Sequence, residues 1–174
     1  MIGYDVKKSN YKMDFNNRIP FENRNFREIL QFYLFECPVP GVSRRGESFY
    51  DLGWRGSGAF SKLKKEMLNL ADSDLKEHYH PCKRNDLEEN LKDCNNLFPP
   101  SEYCVFLKSD EKSVMQSLFK GLRNALAHGS FNVQSYNKEK FYFFENYDKY
   151  LKVRCVLKEK TLIKWRNLVI SGNK

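Results

Sequence analysis

One stretch of the chain, from Ser113 to Gly129, constrains the fold more than any other, because it has the pattern of an amphipathic helix with a defined end. Its apolar residues recur every three or four positions and so share one face of a helix. They are Val114, Met115, Leu118, Phe119, Leu122, Ala125 and Leu126. Gly129 follows, at a position where many helices end in the left-handed conformation. The stretch therefore predicts a core helix with His128 in its last turn.

Three polar residues at the end of this helix, Arg123, Asn124 and His128, lie off the apolar face. Asn124 and His128 are four residues apart and so are neighbours on the helix surface, whereas Arg123 and His128 are five apart and diverge. An imidazole exchanges protons near neutral pH, and a guanidinium matches the geometry of phosphate oxygens. The group favours phosphodiester chemistry. The alternative is that His128 only caps the helix and that Arg123 is a surface residue or an ion-pair partner.

The run from Arg123 to His128, RNALAH, resembles the R-polar-x-x-x-H signature of HEPN domains, small all-helical modules of prokaryotic defence and toxin systems and of some eukaryotic ribonucleases. The resemblance implies a mainly α fold, an HEPN-like bundle of four to five helices with a small antiparallel β-hairpin or meander before the C-terminal helix. It also implies a homodimer, in which two motifs meet to form one metal-independent RNA-cleaving centre.

The resemblance assigns a role to each motif residue. His128 would be the general acid or base on the ribose 2′-hydroxyl or the leaving 5′-oxygen, and Arg123 would hold the scissile phosphate. Asn124 would orient His128 or contact the phosphate; its alternative role is an ordinary side-chain hydrogen bond at the helix end. In family toxins paired with a nucleotidyltransferase, a modified tyrosine commonly stands two residues after the histidine, but this chain has Ser130 there.

The net charge of +8 and the isoelectric point near 9.2 suit a polyanionic partner such as RNA. Glycines and arginines surround Trp54 between residues 42 and 58, so this segment could be an RNA-contacting loop; the alternative is an ordinary loop with Trp54 in the core. The predicted RNA-binding residues are Arg44, Arg45, Arg55, Lys62 and Lys65. An antitoxin or other regulatory protein is a further expected partner, since a free ribonuclease needs restraint.

The length fits one domain over residues 1–174, with 1–18 as a loosely ordered lead-in. No long apolar run or signal-peptide pattern occurs, so we expect a cytoplasmic protein without a membrane partner. The cysteines are scattered and odd in number, which favours free thiols over a disulfide framework. They are Cys37, Cys82, Cys94, Cys104 and Cys155.

The run from His78 to Cys82, HYHPC, is the one segment with the composition of a metal site. Zinc takes about four ligands, usually from paired motifs, and no second pair of Cys or His residues at suitable spacing follows. The segment is therefore interpreted as a loop before a helix, and neither a metal nor a cofactor is expected.

Apolar periodicity predicts the remaining elements. The predicted helices are Phe21–Phe35, Phe60–Leu70, Asp86–Leu97, Ser113–His128 and Thr161–Val169. After His128 the period changes to two, which predicts a hairpin or meander. The functional hypothesis is a metal-independent endoribonuclease of HEPN type in phage defence or a toxin system. The alternatives are a catalytically silent HEPN module that binds RNA or a protein, and a helical scaffold in which Arg123 and His128 are structural.

Overall fold

The computed structural model of this chain describes residues 23–43, 46–95, 101–110 and 113–173. The predicted lead-in, residues 1–18, lies outside these ranges. Six α-helices occur within them: α1 (Arg24–Leu30), α2 (Ala59–Leu70), α3 (Ser73–Glu77), α4 (Leu87–Asn95), α5 (Val114–Ala127) and α6 (Glu159–Ser171). A π-helical turn, Gln31–Phe35, continues α1, and a 3₁₀ turn, Arg84–Asp86, precedes α4.

The strands are β1 (Tyr79–Cys82), β2 (Tyr103–Leu107), β3 (Phe131–Tyr136), β4 (Glu139–Tyr147) and β5 (Leu151–Lys158). They form one mixed sheet in the order β1-β2-β5-β4-β3. β1 and β2 are parallel, and the other pairs are antiparallel. The strands β3 to β5 are the predicted meander, which the structure confirms.

The predicted mainly α, HEPN-like bundle is wrong, because the five-stranded mixed sheet makes this an α/β fold. The error comes from β1 and β2, which are short and lack a period-two pattern. The interpretation of HYHPC as a loop is wrong, because its last four residues form the edge strand β1, where a proline without an N–H donor is tolerated. The run YCVFL of β2 is continuously apolar, so periodicity alone does not identify it.

Helices cover both faces of the sheet, and each face has its own core. The larger core includes buried residues of α1, α2, α3, α5 and α6, and the smaller core packs α4 on the opposite face. The side chains of β4 alternate between them: Tyr142 and Phe144 point to the larger core, and Phe141 and Phe143 to the smaller one. The sheet is thus buried on both sides, with β1 and β3 as its edges.

Several smaller predictions can be compared directly with the structure. Trp54 is buried in the larger core and its Nε1 donates to the Val169 carbonyl at 3.0 Å, so the predicted place of Trp54 in the core is confirmed. All five cysteines are free thiols, as predicted, and the structure shows in addition that all five are buried. Among the described helices, none combines the length and apolar character needed to cross a bilayer.

Candidate functional site

The helix α5 carries the motif, and its start and its packing both follow from the sequence. Ser113 and Gln116 form a capping box: the Gln116 N–H donates to Ser113 Oγ at 3.1 Å, and the Ser113 N–H donates to Gln116 Oε1 at 3.0 Å. Gly121 lets α5 approach the sheet closely, because a Cβ atom there would overlap the Val153 side chain of β5. The motif therefore stands at the end of a rigidly seated helix.

The predicted helix end at His128 and Gly129 is confirmed. The His128 N–H donates to the Asn124 carbonyl at 3.0 Å, and Gly129 has a φ of +65°. The Gly129 N–H then bonds Leu126 O at 3.1 Å, and the Ser130 N–H bonds Ala125 O at 2.8 Å. These two bonds are the Schellman pattern, which satisfies the last carbonyl groups of a helix. His128 is left exposed at the surface.

The structure brings Arg123 and Asn124 together. Arg123 is half-buried, and its Nη1 donates to Asn124 Oδ1 at 3.2 Å. Its Nε is buried without a hydrogen-bond partner among the described residues. Burial raises the pKa of the Cys37 thiol to about 11, and the nearby charge of Arg123 is among the effects that oppose this rise. Arg123 is therefore close enough to Cys37 for its charge to act on the thiol.

His128 lies near a different part of the molecule, the turn between β4 and β5. Because Phe131 pairs with Phe144, the end of β4 runs past the start of β3 and reaches the end of α5. The Glu145 N–H accordingly bonds the Ser130 carbonyl at 2.9 Å. Within the described ranges, no hydrogen bond joins the imidazole of His128 to the side chain of Arg123 or Asn124.

Three residues near this turn, Tyr147, Asp148 and Lys152, extend the candidate site beyond the motif. A hydrogen bond from Lys152 Nζ, 2.9 Å long, lowers the pKa of Asp148, and the charge of His128 lowers it further. Tyr147 is 65% exposed, so its ring is open to stacking. Sequence reasoning missed this turn because the proximity of Asp148 to His128 depends on the β3–β4 register. The only local signal was the polar run between the second and third predicted strands.

The predicted RNA-binding residues form a separate group where they are described. Arg55, Lys62 and Lys65 are exposed, while Arg44 and Arg45 lie outside the described residues. The Arg55 guanidinium lies 4.5 Å from the centroid of the exposed Tyr50 ring. Lys62 Nζ donates to Asn173 Oδ1 at 2.6 Å. No described hydrogen bond or ion pair connects these three cations with the motif.

One group of described residues has the geometry of a metal site: His78, His80 and Cys94. One potential ligand atom from each of them lies within 4.8 Å of the other two. The sequence interpretation recognised the two histidines but not Cys94, which comes from α4, and it placed the histidines on a loop rather than at β1. Only the tertiary structure brings the three residues together.

Comparison with protein family models, with curated proteins and with solved structures finds no match to this chain. The HEPN resemblance consequently depends on Arg123, Asn124 and His128, and the mixed sheet departs from the all-helical fold that the resemblance implied. Any function must be argued from the chemistry of the site.

Proposed function

We propose that this protein is a metal-independent endoribonuclease with Arg123, Asn124 and His128 at its centre. The observation that supports this function is the arrangement at the end of α5, where an exposed imidazole follows a guanidinium held by a neighbouring amide. This combination offers a proton carrier and a phosphate ligand without a metal ion. The HEPN resemblance of the same residues points to the same chemistry.

In this mechanism the RNA supplies its own nucleophile. His128 takes the proton of the ribose 2′-hydroxyl, the 2′-oxygen attacks the adjacent phosphorus, and the bond from phosphorus to the 5′-oxygen breaks. The products are a 2′,3′-cyclic phosphate and a 5′-hydroxyl end. Arg123 stabilises the negative charge that builds on the phosphate oxygens. Because DNA lacks the 2′-hydroxyl, it is not a substrate.

A second copy of the chain completes the centre. The reaction needs a base for the 2′-hydroxyl and an acid for the departing 5′-oxygen, and one motif contains a single imidazole. Within one protomer Arg123 bonds Asn124, and no described hydrogen bond links either side chain to the His128 imidazole, so we place the phosphate between the motifs of two protomers. Asp148 would orient His128, and Tyr147 would stack on a base beside the cleaved bond.

The composition fits this setting. A net charge of +8 attracts RNA, and buried free thiols persist in the reducing cytoplasm, where we place the enzyme. A role in phage defence or as a toxin would require an antitoxin or regulatory protein as a further partner. Arg55, Lys62 and Lys65 would bind the RNA backbone outside the centre.

A second candidate function is a catalytically silent module that binds RNA or a partner protein. The observation that favours it is the position of Arg123, whose Nε is buried and whose Nη1 bonds Asn124. A guanidinium committed to such contacts stabilises the helix end and has fewer donors left for a phosphate. The two functions differ in whether RNA is cut, which one experiment decides.

The test compares wild type with His128→Ala and Arg123→Lys, and with Lys120→Ala as the matched control, since Lys120 is an exposed cation of the same helix. Each protein is incubated with total RNA in excess chelator, after circular dichroism has verified its fold in that buffer. We expect wild type and Lys120→Ala to leave cyclic-phosphate ends, and His128→Ala to be slower by about 100-fold or more. Intact RNA with folded wild type, or equal cleavage by His128→Ala, would overturn the proposal; RNA binding without cleavage would support the silent module.

A further inference from the structure

The edge strand β1 and the helix α4 together present an unusual set of side chains. His78 directly precedes β1, and its carbonyl accepts a hydrogen bond from the Cys104 N–H at 2.9 Å, so the parallel ladder with β2 already holds it. Alternation along the strand puts His80 on the same side as Cys82, which belongs to the smaller core. The two histidines are therefore fixed by the sheet and face the layer that contains α4.

Cys94 reaches this place because α4 is amphipathic. Leu87, Leu91 and Cys94 are spaced by four and three residues and are all buried in the smaller core, so they define the face that α4 turns toward the sheet. This face docks on β2, the neighbour of β1. Cys94 is only 2% exposed, which seats its Sγ beside the two imidazoles and out of reach of bulk solvent.

The distances fit a metal ion. In tetrahedral zinc sites, bonds of about 2.0–2.1 Å to nitrogen and about 2.3 Å to sulfur place neighbouring ligand atoms roughly 3.5 Å apart. The potential ligand atoms of His78, His80 and Cys94 already lie within 4.8 Å of one another. The two rings are inclined by 60° with centroids 6.4 Å apart, so they converge without stacking face to face. Small side-chain rotations suffice to close the site.

The ligand types select the class of metal. Two imidazoles and a thiolate suit zinc, whereas magnesium and calcium prefer oxygen ligands, and this cluster contains no carboxylate among the described residues. Cys82, the other cysteine on this side of β1, makes a 3.5 Å hydrogen bond from its Sγ to the Phe106 carbonyl instead. The two histidines are half-buried, so solvent reaches part of each residue.

We propose that His78, His80 and Cys94 bind one zinc ion, with a water molecule in the fourth position, and that the metal fastens α4 to the β1 edge. The smaller core has far fewer buried side chains than the larger one, so a metal adds stability where hydrophobic packing is thinnest. Binding releases the Cys94 proton to solvent, since a coordinating thiol is bound as the thiolate. The site lies at the sheet edge opposite the motif and takes no part in RNA cleavage.

The experiment titrates the full chain, freed of adventitious metal, with Co²⁺ and then Zn²⁺, and follows visible and near-ultraviolet absorption. We expect one equivalent of Co²⁺ to give the intense visible bands of a tetrahedral site and a thiolate charge-transfer band, both removed by Zn²⁺. His78→Gln, at a half-buried position, should weaken binding by about 100-fold or more, since losing a ligand exceeds the 10- to 100-fold effect of losing an outer hydrogen bond. Cys94→Ser should remove the charge-transfer band.

The matched controls are His128→Ala and Cys82→Ser, which change the remaining histidine and the neighbouring cysteine of β1 and should bind metal like wild type. A wild type that binds less than one equivalent, or that shows no charge-transfer band, would overturn the proposal, as would unchanged affinity in folded His78→Gln. If Cys94→Ser does not fold, the charge-transfer band of wild type still decides whether a thiolate is a ligand. Zinc should also raise the unfolding temperature of wild type but not of His78→Gln.

Discussion

The three histidines of this chain lie at opposite edges of one sheet, and the two edges differ in how their chemistry is assembled. At the β3 edge, His128 ends the helix that also carries Arg123 and Asn124, so the whole motif belongs to six consecutive residues. At the β1 edge, His78 and His80 meet Cys94 only because α4 docks on the sheet. A group of side chains that belongs to one helix can be found from sequence spacing. A group that is shared between elements can be found only from the topology of the fold.

The environments of the two edges also differ in a way that suits different tasks. His128 is exposed beside a charged turn, so its imidazole can exchange protons with solvent and with a substrate. His78 and His80 are half-buried beside a buried thiol, with potential ligand atoms within 4.8 Å of one another, the arrangement that we propose binds a metal ion. If this contrast is correct, perturbing one edge should leave the chemistry of the other unchanged.

The largest effect that separates the edges is expected from Leu91→Ala. Leu91 is fully buried between α4 and the sheet, and removing such a side chain typically costs about 2–5 kcal/mol of unfolding free energy. The substitution should also weaken zinc binding, although Leu91 is not a ligand. The reason is that the Leu91 side chain packs α4, which carries Cys94, against the sheet. Denaturant unfolding and Co²⁺ titration measure the two effects.

Leu118→Ala is the matched control for this change, since Leu118 is equally buried but belongs to the larger core. We expect a similar loss of stability and unchanged metal affinity in the folded protein. Equal weakening of metal binding by both variants would show that the two cores act as one unit. The two edges of the sheet would then not be independent.

The next effect is that of Gly121→Ala, which perturbs the packing of α5, the helix that carries the motif, on the central strand β5. The added Cβ overlaps Val153, and overpacking of this kind costs about 1–3 kcal/mol, partly offset by the better helix propensity of alanine, about 1 kcal/mol. Combination with Val153→Ala should cost less than the sum of the two single changes, which denaturant unfolding can measure. Metal binding at the β1 edge should not change, and additive costs would contradict the close packing of α5 on β5.

The same difference between local and tertiary assembly separates what the sequence predicts from what it does not. Spacing was sufficient for α5, its end at Gly129 and the meander β3 to β5, since each is specified by neighbouring residues. Spacing failed for β1 and β2, because a parallel pair of short strands has no local signature. Missing that pair hid the mixed sheet, and with it the docking of α4. Cys94 therefore remained one scattered thiol among five.

A smaller effect is expected from Gly129→Ala at the end of α5. Gly129 has a φ of +65° with open space around its would-be Cβ, so the cost is backbone strain alone, about 1–2 kcal/mol. Gly129→Asn should cost less, because asparagine tolerates this conformation better. Thermal unfolding ranks the variants. If alanine is harmless, the Schellman turn does not fix His128, and the candidate site at this edge loses its rigidity.

The smallest effect concerns the turn that joins His128 to the rest of its edge. The hydrogen bond from Lys152 and the charge of Lys152 are the main effects that hold the pKa of Asp148 below its ordinary value, and the charge of His128 adds a smaller one. The ion pair of Asp148 therefore stabilises the fold above the unfolded pKa, and this stability is lost as pH falls through the folded one. Lys152→Met should raise the pKa of Asp148 toward the ordinary range, and His128→Ala should raise it less. An NMR titration of the Asp148 carboxyl measures both, with Lys62→Met as the distant control. If the pKa of Asp148 does not change in His128→Ala, this turn does not interact with His128. The candidate site at the β3 edge would then consist of the end of α5 alone.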